Sequence, residues 1–291
     1  MSLQLKTLYN ALVGAWGGFV AWFVLDVVLK LNPTNVWLDA VTNGAIVGMF
    51  IGALVSGFGG VMERRAMRVA RGLGIGLVTG IGGGIFGLLA GEAAYQIGRL
   101  LDGGDLLREL FRAIGWSIFG IGIGVAEGVV TFSSKRFLFG GLGGFIGGLV
   151  GGIAFTLVTR ISDLQLTNRA LGFALLGAFI GLFVGLIPDL LKNAWLKVIS
   201  SGRNEGKEFL LDKQVNAIGS ADNCDVGLYG DPTVAKKHAE IRQAGGQFTL
   251  HTQPGETVIV NNAPETQTIL RNGMQFRVGN IKLVFRQKGE R

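Results

Sequence analysis

The sequence predicts a membrane-embedded helical bundle of about six spans followed by an all-β sandwich, and three observations carry that prediction. Hydrophobic residues make up 49% of the 291-residue chain and charged residues only 16%, where a soluble domain carries about 25% charged residues. Glycine accounts for 49 residues, 38 of them before residue 201 and 11 after it. The last third instead alternates short apolar runs with turn residues, as a soluble β domain does. A single soluble domain is therefore excluded. Collagen is excluded because glycine keeps no three-residue period, and disorder because the apolar content is too high. One cysteine, Cys224, leaves no intrachain disulfide framework.

Six stretches are long and apolar enough to span a bilayer: roughly 9–30, 36–62, 72–98, 111–133, 137–160 and 169–190. The first lacks the basic start and small-residue cleavage site of a secretory signal. Polar turns separate the spans at 32–35, 63–65, 102–105, 133–136 and 162–163. With the N-terminus inside, the inner segments hold nine Lys or Arg and the outer loops six, so the positive-inside bias places both termini in the cytoplasm. The net charge of +7 reads as membrane topology and contact with anionic lipid heads, with no nucleic-acid partner implied.

The spans repeat. A shift of 57 residues carries Gly115, Gly120, Gly124 and Gly128 onto Gly172, Gly177, Gly181 and Gly185. A shift of 64 carries Gly76, Gly80, Gly83, Gly84 and Gly87 onto Gly140, Gly144, Gly147, Gly148 and Gly151, and a shift of 72 carries Gly48 and Gly52 onto Gly120 and Gly124. Spans two, four and six are thus one kind of helix, and spans three and five another. Gly at every fourth position lets helix backbones approach closely, within the chain or in a homo-oligomer. The rival reading is that these faces line a conduit. The intramembrane acids Glu92 and Glu127 are then candidates for ion or proton handling, because a carboxylate in hydrocarbon is costly. Asp26 lies near the end of span one. After Pro188, the stretch from Leu190 to Ile199 reads as an interfacial helix. Three regions follow: a membrane domain over 1–190, an interfacial helix and linker over 191–202, and a β domain over 203–291.

Strand-like runs in the β domain are 209–211, 215–218, 225–229, 239–242, 248–251, 258–260, 275–278 and 281–285, a spacing that argues a sandwich. Five segments occur in order: Ile218-Gly219-Ser220; Cys224-Asp225-Val226; Val234-Ala235-Lys236-Lys237-His238-Ala239-Glu240-Ile241; Val260-Asn261-Asn262; and Leu270-Arg271-Asn272-Gly273 with Val278-Gly279. This constellation, about 85 residues long, resembles the forkhead-associated (FHA) domain. The resemblance implies an eleven-stranded sandwich whose loops at one end bind phosphothreonine peptides. It also implies that Gly219 and His238 form the structural framework, with His238 ordering a loop by hydrogen bonding.

The resemblance further implies a phosphate-reading Arg at the position of Ser220, a Ser at Ala235, and an Asn at Glu256 or Thr257. The basic residues Lys236 and Lys237 remain, and Asn261 and Asn262 complete the loop candidates. Losing the Arg removes a bidentate charge-assisted contact, and a Glu beside the site repels phosphate. Weak or absent phosphothreonine binding is expected. No Ser/His/Asp set, metal-ligand cluster or phosphate-binding motif is evident, so neither a catalytic role, a metal nor a cofactor is expected. The expected function is a multi-pass inner-membrane protein presenting a cytoplasmic FHA-like module to protein partners. The rival is a channel or transporter regulated by that module.

Overall fold

The structure is a computed structural model that describes all residues except 1–2, 31–34, 64, 102–103, 160–163, 203 and 290–291. The turns expected at 32–34, 102–103 and 162–163 lie outside the described residues. The chain divides into two units, Ser2–Leu191 and Lys192–Arg291.

The first unit is helical: α1 (Leu3–Trp22), continued by a π-helical segment (Phe23–Leu29), then α2 (Val36–Glu63), α3 (Ala66–Leu100), α4 (Gly104–Gly124), α5 (Ala126–Thr131), α6 (Ser134–Thr159) and α7 (Gln165–Leu191). With α4 and α5 forming one span, six helical stretches are long and apolar enough to cross a membrane. The expected spans 36–62, 72–98 and 169–190 each fall inside one of them, while 9–30, 111–133 and 137–160 overrun the ends at Leu29, Thr131 and Val158 by one or two residues. Consecutive helices pack on one another, and α7 returns to α1, so the six close into a ring.

Glycine decides which faces meet. A Cβ placed on Gly44, Gly48 or Gly52 of α2 would run into the backbone of Gly84, Gly80 or Gly76 of α3. Gly120 and Gly124 of α4 meet Gly144 and Gly140 of α6 in the same way, and Gly177 and Gly18 link α7 and α1 through Gly14 and Phe173. The glycine-to-carbonyl contacts of this kind join α2–α3, α4–α6 and α7–α1, while α3 and α4 also meet through Gly83–Gly122 and Gly91–Gly115, and α6 meets α7 at Gly143, Gly147 and Gly151. One position before Gly48, Gly52, Gly120, Gly124, Gly177 and Gly181, the residues Val47 and Ile51 of α2, Phe119 and Ile123 of α4, and Leu176 and Ile180 of α7 are no more than 1% exposed and share one core. These apolar residues stand at positions related by the 72- and 57-residue shifts.

The second unit is a sandwich of eleven strands among the described residues. They are β1 (Ala194–Val198), β2 (Glu208–Leu210), β3 (Val215–Gly219), β4 (Val226–Gly227), β5 (Ala239–Ala244), β6 (Gln247–Thr252), β7 (Val258–Val260), β8 (Ala263–Glu265), β9 (Gln267–Leu270), β10 (Gln275–Val278) and β11 (Ile281–Gln287). One sheet runs β2-β1-β11-β10-β7-β8 and the other β4-β3-β5-β6-β9, antiparallel apart from the β3–β4 pair. Leu196, Ile218, Ile241, Leu250, Leu283 and Phe285 fill the space between the sheets at 1% exposure or less. Each such side chain contributes about 1.5–3 kcal/mol by leaving water.

The interfacial helix expected over Leu190–Ile199 is not formed. Helix α7 runs through Pro188 to Leu191, and Ala194–Val198 is strand β1, paired with both β11 and β2. The reason is a two-residue period: Ala194, Leu196 and Val198 point into the core while Trp195 and Lys197 point out. The sandwich thus begins at Lys192 and not at residue 203. Strands β8 and β9 were not expected either.

Candidate functional site

The antiparallel layout collects the β3–β4, β4–β5, β6–β7 and β10–β11 loops at one end of the sandwich. Ser220, Ala235, Lys236, Lys237, Glu256 and Thr257 lie on three of these loops. Asn261 and Asn262 do not. They form the two-residue turn of the β7–β8 hairpin, at the opposite end, with φ of 50° and 67°. Both central residues with positive φ make a type I′ turn, for which Asn is favoured. Their role is to set the β7–β8 register.

The loop end is built around His238, which is 3% exposed. Its Nε2–H donates to the Thr257 carbonyl at 3.0 Å, and Nδ1 accepts the Ala235 N–H at 3.2 Å. One imidazole thereby ties the β4–β5 loop to the β6–β7 loop. The Ser220 and Ala221 amides donate to the Ala235 and Lys236 carbonyls at 2.9 and 3.1 Å, and the Cys224 thiol donates to the Lys236 carbonyl at 3.2 Å. At Gly219 a Cβ would strike the Lys236 carbonyl oxygen, so this position requires glycine. Gly219 and His238 thus hold the loop backbones together at this end.

At the phosphate-reading positions, Ser220 is half-buried and too short to reach outward as an Arg would. Ala235 offers no hydroxyl. Glu256 is half-buried with Oε2 3.4 Å from His238 Nδ1, which puts a carboxylate on this end. Lys236 is exposed. Lys237 is committed to Glu240 at 3.1 Å.

Two further acids organise this region without having been singled out from sequence. Glu240 is buried on β5 and bonded by Arg242, Lys237 and Gln253. Burial pushes its carboxyl up, but the hydrogen bonds and charges of Arg242 and Lys237 outweigh burial and hold it below the usual carboxylate range. Asp231 accepts from the Thr233 amide and hydroxyl and from the Asn280 amide, at 2.6–3.0 Å, clipping the β4–β5 loop to the β10–β11 turn. The Thr233 hydroxyl bond is the main cause of its lowered carboxyl pKa. The signal was present as Asp231-Pro232-Thr233, an Asx turn.

In the helical unit, the acids proposed for ion handling have partners of their own. Glu127 accepts from Arg68 at 2.5 Å and Arg136 at 3.4 Å. Glu92 accepts from Gln96 on the same helix at 2.5 Å. Glu63 is paired with Arg68, and Asp189 with Lys6 at 2.5 Å. Each glycine-matched helix pair is therefore also joined by a carboxylate–cation pair. Asp26 is 3.3 Å from Arg169, which bonds Asn43 at 3.1 Å. Most of the glycines singled out above meet the backbone of a neighbouring helix, while Gly172 and Gly185 meet the side chains of Phe155 and Asn10.

Comparison with known proteins finds relatives for about one third of the chain. A family model described as the cytoplasmic domain of the inner-membrane component of T3SS matches residues 198–289. The oxoglutarate dehydrogenase inhibitor of Corynebacterium jeikeium is 33% identical over 100 residues, covering 34% of this chain and 69% of the relative. The glycogen accumulation regulator GarA of Mycolicibacterium smegmatis is 35% identical over 91 residues, covering 31% of this chain and 57% of the relative. A structure solved for the analysis of phosphothreonine-dependent FHA domain interactions is 26% identical, with a TM-score of 0.30, covering 33% of this chain and 97% of that one.

Proposed function

The C-terminal third of the chain belongs to the FHA family, and from that premise we propose that the protein is a multi-span inner-membrane anchor that presents an FHA module to cytoplasmic protein partners. Six long apolar helices and an inner-membrane family match support the anchoring, with both termini in the cytoplasm by the positive-inside bias. The observation that carries the binding reading is the loop end itself. Its scaffold is complete in Gly219, His238 and the laced loop backbones, while the phosphate positions hold Ser220, Ala235 and Glu256. A phosphothreonine would find no guanidinium fork and would face a carboxylate, losing about 1.5–3 kcal/mol for each missing charge-assisted bond. The module therefore recruits partners through this surface with little dependence on phosphate.

The test is binding of the intact chain, in detergent, to matched phosphorylated and unphosphorylated threonine peptide libraries and to cytoplasmic extract. Partners captured equally with and without phosphatase treatment are expected. A micromolar preference for phosphothreonine overturns the degenerate-site reading, and capture of no partner at all overturns the recruitment reading.

A further inference from the structure

The outer face of the six-stranded sheet carries a second surface, unrelated to the loop end. On β1, β11 and β10 the core takes Leu196, Leu283, Phe285 and Phe276, so Lys197, Lys282, Arg286 and Arg277 point the other way. The register places them around one residue. Lys197 lies directly opposite Val284, Lys282 and Arg286 flank Val284 two residues away on β11, and Arg277 is diagonal to it on β10. Cross-strand neighbours are about 5 Å apart and diagonal ones about 7–8 Å. Val284 is only 4% exposed although it faces outward, as expected when long cationic stems surround it.

All four cations are exposed, and none is ion-paired among the described residues. Lys282 and Arg277 are direct cross-strand partners. Like charges in that position are destabilising, so this arrangement works against the stability of the sheet. Glu208, directly opposite Lys197 on β2, is held by Lys192 at 2.7 Å, and Lys192 also covers the Trp195 ring at 4.6 Å. Asp222, Asp225, Asp231 and Glu256 lie in the end loops, and Glu240 on the other sheet.

We propose that this face is a docking platform for anionic lipid headgroups. The cations are spread in two dimensions across three strands of a sheet face, which suits an extended plane of phosphates. A tryptophan stands at the edge of the patch, the residue favoured at membrane interfaces. Two residues, Lys192 and Asn193, separate the end of helix α7 from strand β1. The chain thus joins this sheet directly to a helix long and apolar enough to span a bilayer. The inference rests on the spanning role proposed above. Each Lys or Arg near an anionic surface is worth about 1 kcal/mol, roughly five-fold in affinity.

The experiment reconstitutes the intact chain in nanodiscs of neutral lipid or of neutral lipid with about one-third phosphatidylglycerol, and follows amine labelling of individual lysines by mass spectrometry. Lys197 and Lys282 are expected to label about five-fold more slowly or less on the anionic discs, and Lys236 at the loop end to be unchanged. The protection is expected to vanish at high salt and in the Arg277→Gln/Arg286→Gln variant, which leaves both lysines in place. Equal labelling on the two lipids overturns the proposal. Protection that appears only on adding polyglutamate or RNA overturns it in favour of an acidic macromolecule. Failure of the chain to co-elute with discs sinks the spanning reading and this proposal with it, and is distinguished from the other failures by that elution.

Discussion

Replacing His238 with alanine tests whether a single imidazole holds the loop end together. The change removes the acceptor of the Ala235 N–H and the donor to the Thr257 carbonyl, in a site where His238 is 3% exposed. Leaving a buried backbone donor or acceptor without a partner costs about 1–3 kcal/mol. Two such groups, partly relieved by water entering at a loop end, give about 2–4 kcal/mol. A domain of about 100 residues loses roughly 4–8 °C of Tm per kcal/mol, so a fall of at least about 8 °C is expected. The assay is thermal unfolding of the fragment 192–291, which holds a complete core of its own, with hydrogen exchange at the Ala235 and Ser220 amides. Exchange should accelerate at both, because the Ser220 amide bonds the Ala235 carbonyl. His251 on β6, half-buried on the outer face of its sheet, serves as the control, and His251→Ala should stay within about 0.5 kcal/mol. A His238→Ala fall of less than about 4 °C, or unchanged exchange at Ala235, refutes the reasoning.

Within the helical unit, Gly48→Ala should cost about 1–3 kcal/mol by driving α2 off the Gly80 carbonyl, whereas Gly82→Ala, which meets nothing within 4 Å, should be neutral or gain up to about 1 kcal/mol; thermal denaturation in detergent separates the two. Glu127→Gln should destabilise the same unit by about 1–3 kcal/mol, because Arg68 and Arg136 lose their shared anion in a half-buried setting, and Arg136→Gln should recover part of that loss in the double variant. Glu240 has a folded-state carboxyl pKa below its unfolded value, so its contribution is present above the ordinary carboxylate range and is lost as pH falls through the lowered value. The difference in urea midpoint between wild type and Glu240→Gln should therefore be largest near neutral pH and shrink steadily below about pH 4, and a difference that grows on acidification contradicts the assignment.

Much of the architecture was readable because it rests on long-period signals. Six apolar stretches need only composition and length, and the observed helices match each to within six residues at either end. The loop end was readable where a motif carries geometry: Gly219 must be glycine against the Lys236 carbonyl, and His238 must bridge two loops. Short elements were less legible. Strand β1 was mistaken because five residues, Ala194 to Val198, contain both an alternation and a lysine–tryptophan pattern compatible with a helix, and only pairing with β11 decides between them. Strands β8 and β9 carry few apolar residues, and Ala263 to Gln267 are all exposed, so hydrophobic pattern had nothing to detect. Asn261 and Asn262 were grouped with the loop candidates by motif order alone, although two adjacent Asn residues after a strand are equally the signature of a type I′ turn.

The pairing of α1 with α7 shows why repeat arithmetic reaches only so far. Shifts along the chain compare a segment with later copies, and they related α2 to α4 and α7, and α3 to α6. They offered no partner for α1, whose Gly14 and Gly18 stand apart from those series. In three dimensions Gly14 occupies for Gly177 the place that Gly80 takes for Gly48 and Gly144 for Gly120. The ion pairs follow the same scheme, with Lys6–Asp189 standing beside Arg68–Glu63 and Arg136–Glu127. The unit is best understood as three like helix pairs in which the chain enters at the second member of one pair and leaves at its first. On that understanding Glu127 joins Glu63 and Asp189 as an acid paired with a cation on the neighbouring helix.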